Sequence, residues 1–168
     1  MDLAIALEKA GFSAYQWGPD VSTYAALSAG WPEGNPPLPS EAELQAAYDA
    51  ALAPTVADVI AERDRRLALG FDYDFGGARG VHRIGTTESD MKGWAEVRAL
   101  AAARVSASDS TSITVATNTG VVQILPSEWA AIDLAAAAFR QPIWASSFTL
   151  AAMDPIPSDY TADSYWTA

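Results

Sequence analysis

The chain has 168 residues, half of them hydrophobic, and a formal net charge of −11. That length fits one domain with room for an appended arm, and it can bury a core without disulfides or metal staples. The acidity argues against a nucleic-acid ligand, which would need bases to neutralise phosphates. The absence of cysteine removes thiol catalysis and cysteine metal sites.

The amino terminus, MDLAIALEKAGF, lacks a basic leader and a cleavage site, and no run of apolar residues is long enough to span a bilayer. We therefore expect no membrane partner. Leu3, Ile5, Ala6 and Leu7 predict a short helix before Gly11. Irregular chain is expected from there to residue 39. WPEGNPPLPS, residues 31–40, holds four prolines, and proline fixes φ and removes a donor. It reads as a linker or a surface strap, with Trp31 as its anchor.

Ser40 followed by Glu43 is a capping box and starts a helix to about Leu52, stopped by Pro54. Thr55 and Asp58 mark a second start, with Val56, Val59, Ile60 and Leu67 as its apolar stripe and Gly70 beyond its end. Phe71, Tyr73 and Phe75 alternate with Asp72 and Asp74, the period of a half-buried strand, and Val81 and Ile84 lie on a return strand. Thr87 and Asp90 open a helix with Trp94, Val97, Ala101 and Val105 on one face. Residues 113–116 and 121–125 predict a second hairpin around Thr117-Asn118-Thr119-Gly120. A helix then carries Trp129, Ile132, Ala136 and Phe139, and Pro142 should kink or break it before it resumes to about Met153. DPIPSDYTADSYWTA closes the chain without helical period.

The expected fold class is α+β, with helices alternating with two short β-hairpins and flanked by extended proline-rich amino- and carboxyl-terminal arms. Its divisions are 1–53, an arm and capped helix; 54–153, the α+β body; and 154–168, an extended aromatic tail. Charge is uneven along the chain: residues 1–60 carry eight acids and one lysine, residues 61–107 are close to neutral, and residues 108–168 carry six acids and one base, Arg140.

FDYDFGGARGVHRIGTT, residues 71–87, is the most chemically suggestive stretch. Its glycines lack the Gly-Lys-Ser/Thr ending of a phosphate loop and the dinucleotide spacing, so a hairpin turn explains them. Asp72 and Asp74 share one strand face, but calcium loops recruit more oxygens, which favours a solvated face. His82 is the lone histidine, so zinc held by a histidine cluster is excluded and a structural role in the hairpin is expected. No nucleophile elbow accompanies it. We expect no catalytic residue, no cofactor and no metal. Trp94 and Trp129 fall on apolar helix faces and read as core. Trp17, Trp31, Tyr160, Tyr165 and Trp166 lie in irregular chain, where such rings must dock on the protein's own body or on a neighbour. They are the candidate interface residues.

As a block, residues 58–153 resemble a domain of unknown function common in tailed-bacteriophage proteins. The resemblance rests on the charged helix ending in Gly70, on FDYDFGGARGVHRIGTTESDM, on ITVATNTGVVQILPSEW and on the helix through 143–150. WPEGNPPLPSEAELQAAYDA is similar to stretches in tail-fibre-region and fibre-assembly proteins. Pro126 departs from the pattern, in which threonine often opens the helix. The resemblance implies a non-enzymatic virion structural protein of the distal tail, a baseplate or tail-fibre attachment adaptor. Such a protein is made in the host bacterial cytoplasm and ends up in the virion. Its partners would be other tail, baseplate or fibre proteins in a homo- or hetero-oligomeric assembly. A tail-fibre assembly chaperone is the alternative, and a cell-wall or polysaccharide hydrolase is the reading from another class.

Overall fold

A computed structural model describes residues 1–13, 16–17 and 21–166. The expectations for the remaining positions of the two arms (14–15, 18–20 and 167–168) lie outside the described residues. The chain divides into two compact units, Met1–Pro54 and Thr55–Ala168.

The first unit is helical. In α1 (Leu3–Lys9) the Asp2 carboxylate accepts from the backbone N–H groups of Ala4 and Ile5, capping the helix. Leu3, Ala6 and Leu7 are buried, whereas Ile5 faces solvent. Thr23 caps α2 (Tyr24–Ala29), a turn and a half of helix within the stretch expected to be irregular. Ser40 and Glu43 form the anticipated capping box of α3 (Glu41–Leu52). Leu27 and Leu44 complete the core begun by α1.

The proline-rich stretch is part of this unit and not an extended arm. The Trp31 indole donates to the Pro36 carbonyl at 2.9 Å, and the Tyr24 hydroxyl donates to the Pro39 carbonyl at 2.9 Å. Asn35 donates to the Gln16 carbonyl. Trp31 meets Phe12 edge to face at 5.3 Å. Proline has no N–H to satisfy, so its carbonyls need only donors, and these aromatic side chains supply them while covering the leucines.

The second unit is α+β, as expected. α4 (Val56–Ala68) starts at the Thr55–Asp58 capping box and buries Val59, Leu67 and the carboxylate of Glu62. Val56 and Ile60 are exposed, so the stripe expected on this helix is rotated. Beyond it Gly70 has φ +65°, and a Cβ there would sit 2.1 Å from the Ile84 carbonyl oxygen. Only glycine meets both demands. β1 (Phe71–Asp74) and β2 (Val81–Ile84) then pair antiparallel, Phe71 opposite Ile84 and Asp74 opposite Val81. A 3-10 turn, Gly77–Arg79, joins them.

α5 (Glu88–Ser106) begins at the Thr87–Asp90 capping box. β3 (Ile113–Thr117) and β4 (Gly120–Ile124) form the second hairpin, Ile113 opposite Ile124. Its tip docks on the first hairpin: Asn118 N–H donates to the Arg83 carbonyl at 2.8 Å, and Arg83 N–H donates to Thr119 Oγ1 at 2.9 Å.

A 3-10 turn, Pro126–Glu128, leads into α6 (Trp129–Ala151), which runs on through Pro142 without the expected break. Proline removes the bond to the carbonyl four residues back, but burial on either side holds the helix. Trp129, Ile132 and Ala136 pack with the hairpins and α5, and Trp94 meets Trp129 edge to face at 5.3 Å. Ile143 and Leu150 pack with Val59 and Leu67 of α4.

The carboxyl-terminal tail is folded rather than extended. It leaves α6 through a cis Asp154–Pro155 peptide and forms a 3-10 turn, Asp163–Tyr165. Trp166 is only 3 % exposed and lies in the α4–α6 cluster, with Ile156, Tyr160 and Tyr165 packed around it. Its indole donates to the Tyr160 carbonyl at 2.7 Å. Burial of Trp166, with Ile156, Tyr160 and Tyr165 around it, offsets part of the entropy of ordering the chain.

Candidate functional site

The glycine-rich stretch is a hairpin turn. Gly76, Gly77 and Gly80 all have positive φ, the Asp74 carboxylate accepts from Gly76 N–H at 2.8 Å, and Phe75 N–H donates to the Gly80 carbonyl at 2.9 Å. Arg79 turns away from the glycines and forms a two-pronged pair with Glu128, donating also to the Phe75 carbonyl. The Arg79 guanidinium holds the Glu128 carboxyl below its ordinary value against the opposing effect of burial. Asp72 and Asp74 are exposed on one face, and Asp72 is taken by Arg83 at 2.7 Å.

His82 joins the two hairpins. Its Nε2 lies 3.1 Å from the Arg79 carbonyl, which can only accept, so Nε2 carries a proton and donates. Nδ1 lies 3.1 Å from Thr117 Oγ1, and the ring stands nearly perpendicular to that of Phe75 with centroids 5.7 Å apart. Gly120 stands against this ring, with room for no more than a tight Cβ at 3.4 Å. Among the described residues no three histidines, aspartates or glutamates cluster as metal ligands would, and no helix is long and apolar enough to cross a membrane.

The candidate interface rings dock within their own units. Trp17 and Trp31 pack against the leucines of the first unit, and Tyr160, Tyr165 and Trp166 pack into the α4–α6 cluster. One open surface lies beside Trp166, where Leu69, Phe139 and Pro142 line a groove of about 360 Å³, and two others run along α5 and α6.

One is an apolar groove of about 400 Å³ lined by Ala101, Ala102, Val105, Pro126, Trp129 and Ala130. Leu125 extends it past Val105 and Pro126. Val105 is 54 % exposed, and the indole N–H of the buried Trp129 has no hydrogen-bond partner. The sequence put Val105 on one helix face with Trp94 and Ala101, but in the last turn of α5 it stands uncovered.

The other is a cleft of about 450 Å³ between α4, α6 and the start of α5. Arg63, Asp64, Thr87, Met91, Arg140 and Trp144 are among its walls. A smaller cleft of about 130 Å³ shares Met91, Arg140 and Trp144 and adds Arg98 and Asp133. The Arg63 guanidinium lies 4.0 Å above the Trp144 ring and pairs with Asp64 at 2.8 Å. Glu88, on the same wall, pairs with Lys92 at 2.9 Å.

Arg140 stands apart in this cleft. The other seven arginines each pair with a carboxylate: Arg63 with Asp64, Arg65 and Arg66 with Glu62, Arg79 with Glu128, Arg83 with Asp72, Arg98 with Asp133, and Arg104 with Asp109. Arg140 has no such partner among the described residues, and its Nε is buried without a hydrogen bond. Neither Arg140 nor Trp144 is marked by a motif. The available signal was charge: Arg140 is the lone base of residues 108–168.

Comparison with known protein families, with curated proteins and with solved structures finds no match to this chain.

Proposed function

We propose that the chain is a non-enzymatic structural protein of the distal tail of a bacteriophage, placed at the baseplate or at the tail-fibre attachment, and that it works by binding other proteins. The phage context rests on the resemblance of residues 58–153. The binding mode rests on one observation, the apolar groove along α5 and α6. With the aromatic tail packed on its own body, this groove is an apolar surface open to a partner. Leu134 and Phe148 of α6, 72 % and 64 % exposed, add further apolar area outside it. Exposed apolar surface gathered around a groove marks a protein contact more readily than isolated side chains do.

The test is mass spectrometry of purified particles from a host in which the gene is expressed, paired with a Val105→Glu variant. A stoichiometric band that the variant loses supports the structural reading. A band found with tail intermediates but absent from mature particles favours the assembly chaperone. Absence from both defeats the tail assignment.

A further inference from the structure

We propose that the cleft between α4, α6 and the start of α5 is a binding site for a carboxylate group, with Arg140 as the residue that receives it. This does not depend on the tail reading and concerns a different surface from the apolar groove.

Ion pairing singles out this residue. In a chain with 21 acidic residues and ten basic ones, an arginine without a carboxylate does not reflect a shortage of acids. Two acids line the same cleft, but Asp64 is held by Arg63 and Glu88 by Lys92. Meanwhile the Nε of the half-buried Arg140 is removed from water with nothing to donate to, a costly state for a donor. A ligand carboxylate in the cleft would supply the missing acceptor. The guanidinium fork matches two carboxylate oxygens in one plane, as Arg98 does with Asp133 next door at 2.6 and 2.7 Å.

The walls define the ligand further. With Arg63 matched to Asp64 and Lys92 to Glu88, one uncompensated positive charge remains, which suits a monoanion. A phosphate dianion would face Asp64 and Glu88 across the cleft. Trp144, pinned under Arg63, and Met91 offer apolar flanks for the carbons that carry the carboxylate. The cleft therefore fits an aspartate or glutamate side chain, or a small organic acid. The same chemistry can come from a second copy of this acidic chain or from a foreign carboxylate.

The test uses the isotope-labelled full chain at neutral pH. Sodium acetate, sodium phosphate and sodium chloride are titrated at matched ionic strength while the arginine Nε–Hε and tryptophan indole resonances are followed by NMR. The resonance missing from Arg140→Gln identifies Arg140. Acetate should move it saturably together with the Trp144 indole, and the variant should bind acetate at least about tenfold more weakly. No saturable movement beyond that caused by chloride overturns the site. Saturation by phosphate at lower concentration than acetate overturns the carboxylate assignment. Sedimentation equilibrium separates the sources. Self-association that acetate reverses and Arg140→Gln abolishes identifies a second copy, whereas a monomer that binds acetate identifies a foreign carboxylate; each supports the site.

Discussion

The first unit sets seven carboxylates against one lysine, whereas the second sets fourteen against nine bases. The contacts follow this difference. The ion pairs described lie in Thr55–Ala168, where arginines tie the tail to α4, the first hairpin to the turn before α6, and α5 to α6. Met1–Pro54 relies on five buried apolar residues and on aromatic side chains that donate to proline-segment carbonyls. A 54-residue body with so small a core has little reserve, because small chains bury a lower fraction of their surface. A proline-rich stretch without helical period need not be an arm. It folds when its neighbours supply donors and apolar area.

The comparison can be broken first at the tail. Trp166→Ala should cost the second unit about 3–5 kcal/mol, the range for deleting a buried large aromatic. It should leave amide protection in residues 1–54 unchanged, as read by hydrogen exchange. A loss below about 1 kcal/mol would mean that the tail is not part of that unit's core. Deleting residues 156–168 should destabilise the same unit rather than leave a stable body.

Leu44→Ala probes the other side. Its side chain is fully buried, and the loss of about 3 kcal/mol should abolish protection across the first unit while the second keeps its own transition. A single cooperative loss over both units would show that they do not stand apart energetically.

Acid sharpens the contrast. Arg65, with a smaller contribution from Arg66, holds the buried Glu62 carboxyl below its ordinary value, with burial opposing. The unfolded chain then binds more protons than the folded one between those two values. Stability from this group is complete above the ordinary glutamate pKa of about 4.3 and is lost as pH falls through the folded value. Among the described residues of the first unit, Glu43 is the carboxyl lowered in this way, through its capping hydrogen bonds to Ser40, and it is fully exposed. Denaturant melts at falling pH should therefore show the second unit weakening more steeply. Glu62→Gln should flatten that dependence and cost about 2 kcal/mol at neutral pH, discounted for the exposure of Arg65.

The smallest effect is at His82. His82→Ala should lower stability by about 1 kcal/mol through the lost bridge between the hairpins. Circular dichroism melts measure it. A loss several times larger would mean that the bridge carries the docking of the second hairpin.

Much of this was legible because it is local. Thr55 with Asp58 and Thr87 with Asp90 are each three residues apart, and a cap needs nothing further away. The glycines of the first turn and the alternation of Phe71, Tyr73 and Phe75 are of the same kind. The features that sequence missed depended on distant partners. α2 was invisible because one buried leucine holds it, against residues of α1 and α3. Pro142 stayed helical because α4 and the tail pack against Ile143 and Leu150 beyond it. Val56 and Val105 fit a helical stripe and still face water, since period does not say where the neighbouring element stops. The cleft was hidden for a related reason. An arginine looks the same in sequence whether or not a carboxylate meets it.

The Arg66 guanidinium donates to the Thr161 carbonyl and the Asp163 carboxylate, contacts that span 95 and 97 residues of chain. Capping boxes and hairpin turns assemble among near neighbours, while the tail must close almost the whole length of its unit before it gains anything. Contacts that close so long a loop are expected to form late, after the folding barrier. Lesions in the tail then act mainly by raising the unfolding rate, with little change in how fast the unit folds. On that expectation the tail is a latch: it does not guide the unit to its fold, but it sets how long the fold lasts.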